Sequence, residues 1–155
     1  MPEEKVKERI EALLESQLLA VLSTQRHGQP YSSLMAYAHT PDLATLVFAT
    51  PKPTRKYANL LAEPRVSLLV DSRSNEEVDF HAASAVTVIG KVEEVNEESM
   101  AKLKSLFLKK HPYLHDFVNS PSTALLRVAV KHYILVDRFQ QIMELHLTDE
   151  MDIFS

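Results

Sequence analysis

Apolar residues near the start of the chain recur at helical spacing. Val6, Ile10, Leu13 and Leu14 share one stripe with Glu and Lys between them, which predicts an amphipathic helix over residues 3–16. The pattern then becomes strand-like. LLAVLST (18–24) reads as a largely buried strand, RHGQP as a turn with Gly28 supplying a positive φ, and YSSLMAYA (31–38) as a second strand. HTPDL turns the chain back through Pro41 and Asp42 into a third strand, ATLVFAT (44–50). Two tight turns in succession predict an antiparallel meander.

A helix from Thr54 to about Ala62 is stopped by Pro64, and RVSLLVD (65–71) returns to strand. SRSNEEVDF is polar and reads as a mobile loop. SAVTVIGKVEEV (84–95) alternates β-branched residues as a long strand. Asn96 caps a helix with Glu97 and Glu98 in its first turn and Lys109, Lys110 and His111 in its last, an order that suits the helix dipole, and Pro112 ends it. LLRVAVKHYILVD (125–137) is a long strand and QIMELHL (141–147) a short last one. Six or seven mostly antiparallel strands with three marginal helices predict one small barrel domain over residues 1–155. Ala20, Leu22, Val47, Val66, Leu68, Val88 and Val128 are its expected core, and the first helix should cover one opening.

Composition narrows the chemistry. The chain has 155 residues with 17 basic and 21 acidic side chains, and a net charge of −4 argues against nucleic acid as the main partner. No apolar run is long enough to span a bilayer, and the charged start MPEEKVKERIE lacks secretory features, so a cytoplasmic protein is expected. The absence of cysteine excludes disulfides, thiolate metal sites and cysteine nucleophiles. Gly28 and Gly90 are the only glycines, too few for a dinucleotide-binding or Walker loop. They also supply no Gly-x-Ser-x-Gly elbow for a hydrolase.

Seven histidines raise the question of a metal. His111 and His115 are four residues apart, but Pro112 interrupts their helix, so they read as surface histidines and no metal site is expected. His81 lies in the polar segment. The stretch TPKPTRKYANL (50–60) carries more. A strand end leads to a helix start at Thr54, an N-cap residue, followed by Arg55 and Lys56. Free amides and two cations converge there, which suits a phosphate. An ordinary cap with solvated charges is the other reading.

QPYSSLMAYA, LVFATPKPTRKYANLLAEPRVSLLV and VTVIGKVEEV resemble, in order and spacing over about residues 18–95, the flavin-binding split-barrel family of pyridoxamine 5′-phosphate oxidase. The resemblance implies a mainly β fold, a six-stranded antiparallel split barrel of FMN-binding type with peripheral helices. It further implies a homodimer with FMN at the interface and flavin-dependent oxidoreductase activity on a small molecule that remains unassigned. Carried over by position, Arg55 and Lys56 grip the FMN phosphate, and Thr50, with Ala49 beside it, and Thr54 add donors. Ser33, Leu34 and Met35 lie along the flavin ring, and Ser84 or Ala85 adds a further contact. Phe139 to Gln141 are expected to complete the partner's pocket. The oxidase has Arg at the position of Ser33 and Lys near Ala38, and its Trp and its C-terminal substrate-binding segment have no counterpart here, so vitamin B6 synthesis is not assigned. Tyr37 and His39, the nearest acid–base candidates, read as structural or exposed, and no catalytic residue is assigned. The alternatives are a non-catalytic flavin carrier or sensor, a heme-handling relative, and deazaflavin in place of FMN.

Overall fold

A computed structural model describes residues 2–137, 141–150 and 152–154. Helix α1 (Glu3–Ser16) buries the expected stripe of Val6, Ile10, Leu13 and Leu14. Strands β1 (Leu19–Arg26) and β2 (Gln29–Ala36) form a hairpin in which Arg26 faces Gln29. Its two turn residues, His27 and Gly28, both have positive φ, 53° and 80°, the geometry that matches strand twist in a two-residue loop. Next come β3 (Ala38–His39), β4 (Thr45–Pro51), α2 (Arg55–Ala62), β5 (Arg65–Asp71) and the short α3 (Asp79–Ala82). The chain continues through β6 (Ser84–Glu94), α4 (Glu97–Lys110), a 3-10 turn (Pro112–Leu114), α5 (His115–Val118), β7 (Thr123–Asp137) and β8 (Gln141–His146).

All pairings are antiparallel, in the order β2-β1-β5-β6-β7-β4-β3, with β8 also on β7. The two ends of this path, β2 and β3, are consecutive in sequence and separated only by Tyr37. One segment, 29–39, therefore returns the sheet on itself, and the result is a split barrel. The expected meander needs correction here. Only Ala38 and His39 pair with β4, because the chain leaves β1 at Ala36 and changes partner across Tyr37. The strand that was expected whole is thereby two.

The break is held from both sides. Tyr37 is fully buried, and its hydroxyl donates to Leu14 O at 2.6 Å, satisfying one carbonyl that the end of α1 leaves open. Lys110 Nζ donates to the same oxygen at 2.9 Å and lies 4.0 Å from the centre of the Tyr37 ring. Burial pushes the Lys110 pKa down to about 8 although Glu15 opposes the shift. His111 corrects the expectation of a surface residue. It is fully buried, donates from Nε2 to Tyr37 O at 2.8 Å, and accepts from the Tyr113 hydroxyl at Nδ1. Desolvation lowers its pKa, as suits a neutral ring used in this way.

Two cores result. The barrel interior holds Ala20, Leu22, Phe48, Val66, Leu68, Val88 and Val128 together with the α1 stripe. Val47 is buried as expected, but in a second core with Ala38, Ala49, Leu103 and Phe107 between β4 and α4. The polar segment after β5 is ordered by Asp79, whose carboxylate accepts from the amides of Ser74, Asn75 and Glu76 and from the Ser74 hydroxyl. That local closure replaces the mobile loop expected from composition. Among the described residues no helix is long and apolar enough to cross a membrane.

Gly90 sits where β6 meets a bulge in β7. A Cβ there would lie 2.5 Å from Ala129 O and 2.8 Å from Val128 Cγ1. Gly90→Ala should therefore cost about 1–3 kcal/mol of stability, read as a lower urea midpoint at unchanged slope. A midpoint equal to that of the unmodified protein would show that the sheet opens here without strain.

Candidate functional site

The end of β4 passes into α2 through a tight turn. Lys52 N donates to Ser122 O at 2.8 Å and Thr54 N to Lys52 O at 2.9 Å. Thr54 has extended backbone, and its hydroxyl oxygen accepts from Tyr57 N at 3.1 Å while its proton goes to Pro51 O at 2.9 Å. Ala58 N donates to Thr54 O. The cap thus uses the amides of Tyr57 and Ala58 and leaves those of Arg55 and Lys56 without an intrahelical acceptor. The hydroxyl of Thr54 is already committed to the cap.

No acidic residue occupies the first turn of α2, and among the described residues neither Arg55 nor Lys56 forms an ion pair. Arg55 is exposed and Lys56 half-buried. Burial holds the Lys56 ammonium below its ordinary pKa. Two cations beside the positive end of a helix are each unfavourable by about 0.3–1 kcal/mol until an anion joins them. The helix is fixed beneath them by Asn59, a buried side chain whose Nδ2 donates to Thr24 Oγ1 on β1 at 3.1 Å. Leu60 is buried, and Tyr57 packs on the barrel core.

The other predicted residues divide. Thr50 is fully buried at the end of β4, where Oγ1 has only a long 3.5 Å approach to Pro51 O. Ala49 faces the opposite way, into the second core. On β2, strand alternation puts Ser33 and Met35 on the barrel side, opposite Leu22 and Ala20, and Leu34 on the outer side, opposite Val21. Met35 is 5% exposed and Leu34 64%. These three residues thus offer no common side-chain surface. They share instead a backbone edge, because among the described residues β2 pairs only with β1. Ser33 Oγ is buried without a hydrogen-bond partner among the described residues. α2 packs on β1 and β4, and β2 touches β4.

Ser84 and Ala85 lie elsewhere. Thr50 pairs with Ala124 and Ser84 with Asp137, near opposite ends of β7, roughly 40 Å apart along the strand. Ser84 Oγ donates to Asp137 Oδ1 at 2.8 Å, and Arg9 pairs with the same carboxylate. Within one chain these two residues do not join the α2 start. Phe139 and Gln140 are outside the described residues; Gln141 is exposed and opens β8.

Tyr37 and His39 are structural. His39 is buried, with Nδ1 3.0 Å from Thr40 O and Nε2 3.0 Å from Glu15 Oε2. His81 and His115 are exposed. The described residues contain no group of three or more His, Asp or Glu able to hold a metal. Sequence reasoning missed Asn59 and Thr24, which position α2. Their contact joins positions 35 residues apart, and no local pattern announces it.

Among the described residues, the α2 start thus presents two amides without an intrahelical acceptor and two cations without an ion pair, a donor set that suits an anion, while β2 carries an unpaired edge and the Ser33 hydroxyl has no partner. Among known proteins, a pyridoxamine 5′-phosphate oxidase homologue of Schizosaccharomyces pombe is 32% identical over 94 residues, covering 54% of this chain and 50% of that protein. The chain thus spans about half the length of this curated relative. A heme binding protein from Mycobacterium smegmatis superposes with a TM-score of 0.81 at 17% identity, over 90% of this chain and 57% of its own. An FAD-binding protein from Mesorhizobium loti gives 0.67 at 21% identity, over 83% and 90%. At such identities the two structures speak for the fold alone. Residues 6–137 match the pyridoxamine 5′-phosphate oxidase family, and with the split barrel and its α2 start this places the chain as a member of that family.

Proposed function

We propose that this protein is a homodimeric FMN-binding oxidoreductase acting on a small molecule. The observation that carries the reading is the start of α2, where the first turn holds no acidic residue and, among the described residues, Arg55 and Lys56 form no ion pair and their amides have no intrahelical acceptor. A phosphate dianion there satisfies the amides, complements the helix dipole and neutralises a half-buried lysine. The open edge of β2 offers backbone groups to the polar rim of the flavin, and Ser33 Oγ gains a partner. Bound flavin supplies the redox chemistry, accepting and returning a hydride equivalent. This chain's residues bind and orient it.

Covering the outer sheet face is the role of the second copy. Leu19, Leu34 and Leu69 are 52%, 64% and 37% exposed on the adjacent strands β1, β2 and β5. Val21 lies between Leu34 and Leu69 in register, so these side chains form one apolar surface. Light scattering should give twice the chain mass at micromolar concentration. One chain's mass with flavin bound would refute the dimer.

Arg55→Ala and Lys56→Ala test the phosphate contact. Each removes a charge-assisted contact of about 1.5–3 kcal/mol, so FMN affinity should fall about tenfold to a hundredfold. Riboflavin has no phosphate, and its weaker binding should barely change. Lys52→Ala, in the preceding turn, is the control. Equal losses for both ligands would mean that the cations act on the ring or the fold, and no loss would return them to a solvated pair.

A heme reading rests on the structural likeness to the Mycobacterium smegmatis protein. Absorbance of protein titrated with FMN and with hemin separates the two. A flavin spectrum that shifts on binding is expected, and a saturable Soret band with no response to FMN would replace the proposal by heme handling.

A further inference from the structure

His132 on β7 has no exposed surface, and its Nδ1 lies 2.6 Å from Nδ1 of His146, the residue directly opposite on β8. The rings meet edge to face, with centroids 4.6 Å apart. Nitrogens this close share one proton, so one ring carries Nδ1–H and the other presents a bare lone pair. The surroundings decide which. His132 Nε2 is buried without a partner among the described residues, whereas His146 Nε2 lies 3.6 Å from Glu144 Oε2. A buried N–H without an acceptor costs more than a buried bare nitrogen. The favoured arrangement therefore has His132 donating from Nδ1 to His146 Nδ1, and His146 directing its Nε2–H toward Glu144.

One added proton then has two destinations. On His132 Nε2 it creates a buried cation whose N–H has no acceptor. On His146 Nδ1 it sets two N–H groups against each other. Lys131, next in the chain, adds like charge, while Glu144 and Glu150, which pairs with Lys131 at 2.8 Å, act in the opposite sense. The β6 residue paired with His132 is Ile89, which does not titrate. Burial first, then His146 and Lys131, lowers the His132 pKa below its ordinary 6.5.

The strand held by this contact lies off the main path of the sheet. Among the described residues β8 pairs only with β7, but it also packs on α1 and places Leu145 in the barrel core, with Met143 and Leu147 packed against that core. We propose that the His132–His146 contact is an acid-sensitive latch, which seals β8 onto β7 while both rings are neutral and releases it when one more proton is taken up. A histidine whose closed-state pKa is depressed contributes stability present above its ordinary value and lost as pH falls toward the closed-state value. The latch is thus tight above about pH 6.5 and loosens below it.

Hydrogen exchange of the whole protein tests this, with rates corrected for the pH dependence of intrinsic exchange. Between about pH 7.5 and about pH 5.5, protection of residues 141–147 should fall by up to about tenfold per pH unit, while that of 19–26 holds. His132→Asn removes the buried group that takes up the proton and keeps an amide near the Nδ1 position that can donate to His146 or, turned over, accept from it, so its protection should not show the acid loss. Glu144→Gln should retain the wild-type dependence. Constant wild-type protection, or the same acid loss in His132→Asn, would overturn the latch. Should that variant fail to fold, nitrogen-15 spectra of the histidines in the unmodified protein decide. Protection must fall over the interval between about pH 6.5 and the lower pH at which the His132 ring protonates in the closed state, and a ring that protonates at or above its ordinary value would overturn the proposal.

Discussion

Tyr37 is the residue on which the architecture turns. A side chain with no exposure interrupts the second strand and lets one segment supply both ends of the sheet. Its hydroxyl closes the C-terminal end of α1, and its carbonyl receives His111 from the end of α4. A buried polar group is tolerated only when hydrogen-bonded, so these contacts fix where both helices must end relative to the barrel. Lys110 adds a second donor to Leu14 O and lays its charge over the Tyr37 ring. Helix packing and strand splitting are in this sense one constraint.

The split has a consequence at the candidate site. Because the chain abandons β1 at Ala36 and joins β4 only at Ala38, β2 keeps one edge unpaired among the described residues. β2 touches β4, the strand that leads into α2. The turn from Pro51 to Thr54 aims the helix start, and Asn59 holds the helix to β1. Arg55 and Lys56 stay at the unfavourable end of a helix dipole with no acidic residue in its first turn and no ion pair among the described residues, an arrangement that a bound anion makes favourable.

The long strand β7 shows a related economy. It pairs with β4 along its first part and β8 along its second, and a bulge at Lys131 separates the two. The extra residue shifts the alternation, so Val128 and Val130 face the barrel before it and Tyr133 and Leu135 after it. His132 is thereby moved to the other face, opposite His146. A single inserted residue decides that a histidine meets a histidine instead of the apolar core.

The sequence by itself determined the local elements. The α1 stripe, the caps at Thr54 and Asn96, the glycine turn at 27–28 and the strands at 65–71 and 84–94 follow from neighbours within a few residues. The family motif marked the Arg55–Lys56 helix start for the same reason, since cap and charges are adjacent in the chain. Tertiary structure alone decided the rest. The burial of His111 depends on Tyr37, 74 residues away, and the docking of α2 on an Asn59–Thr24 contact spanning 35. Ser84 could be matched by its place at a strand start, yet the register of β7 sets it far from Thr50. Periodicity specifies which face of a strand is apolar, but not which strand lies beside it. Partner choice is made by the closure of the whole sheet around one core, and that closure is a property of the complete chain.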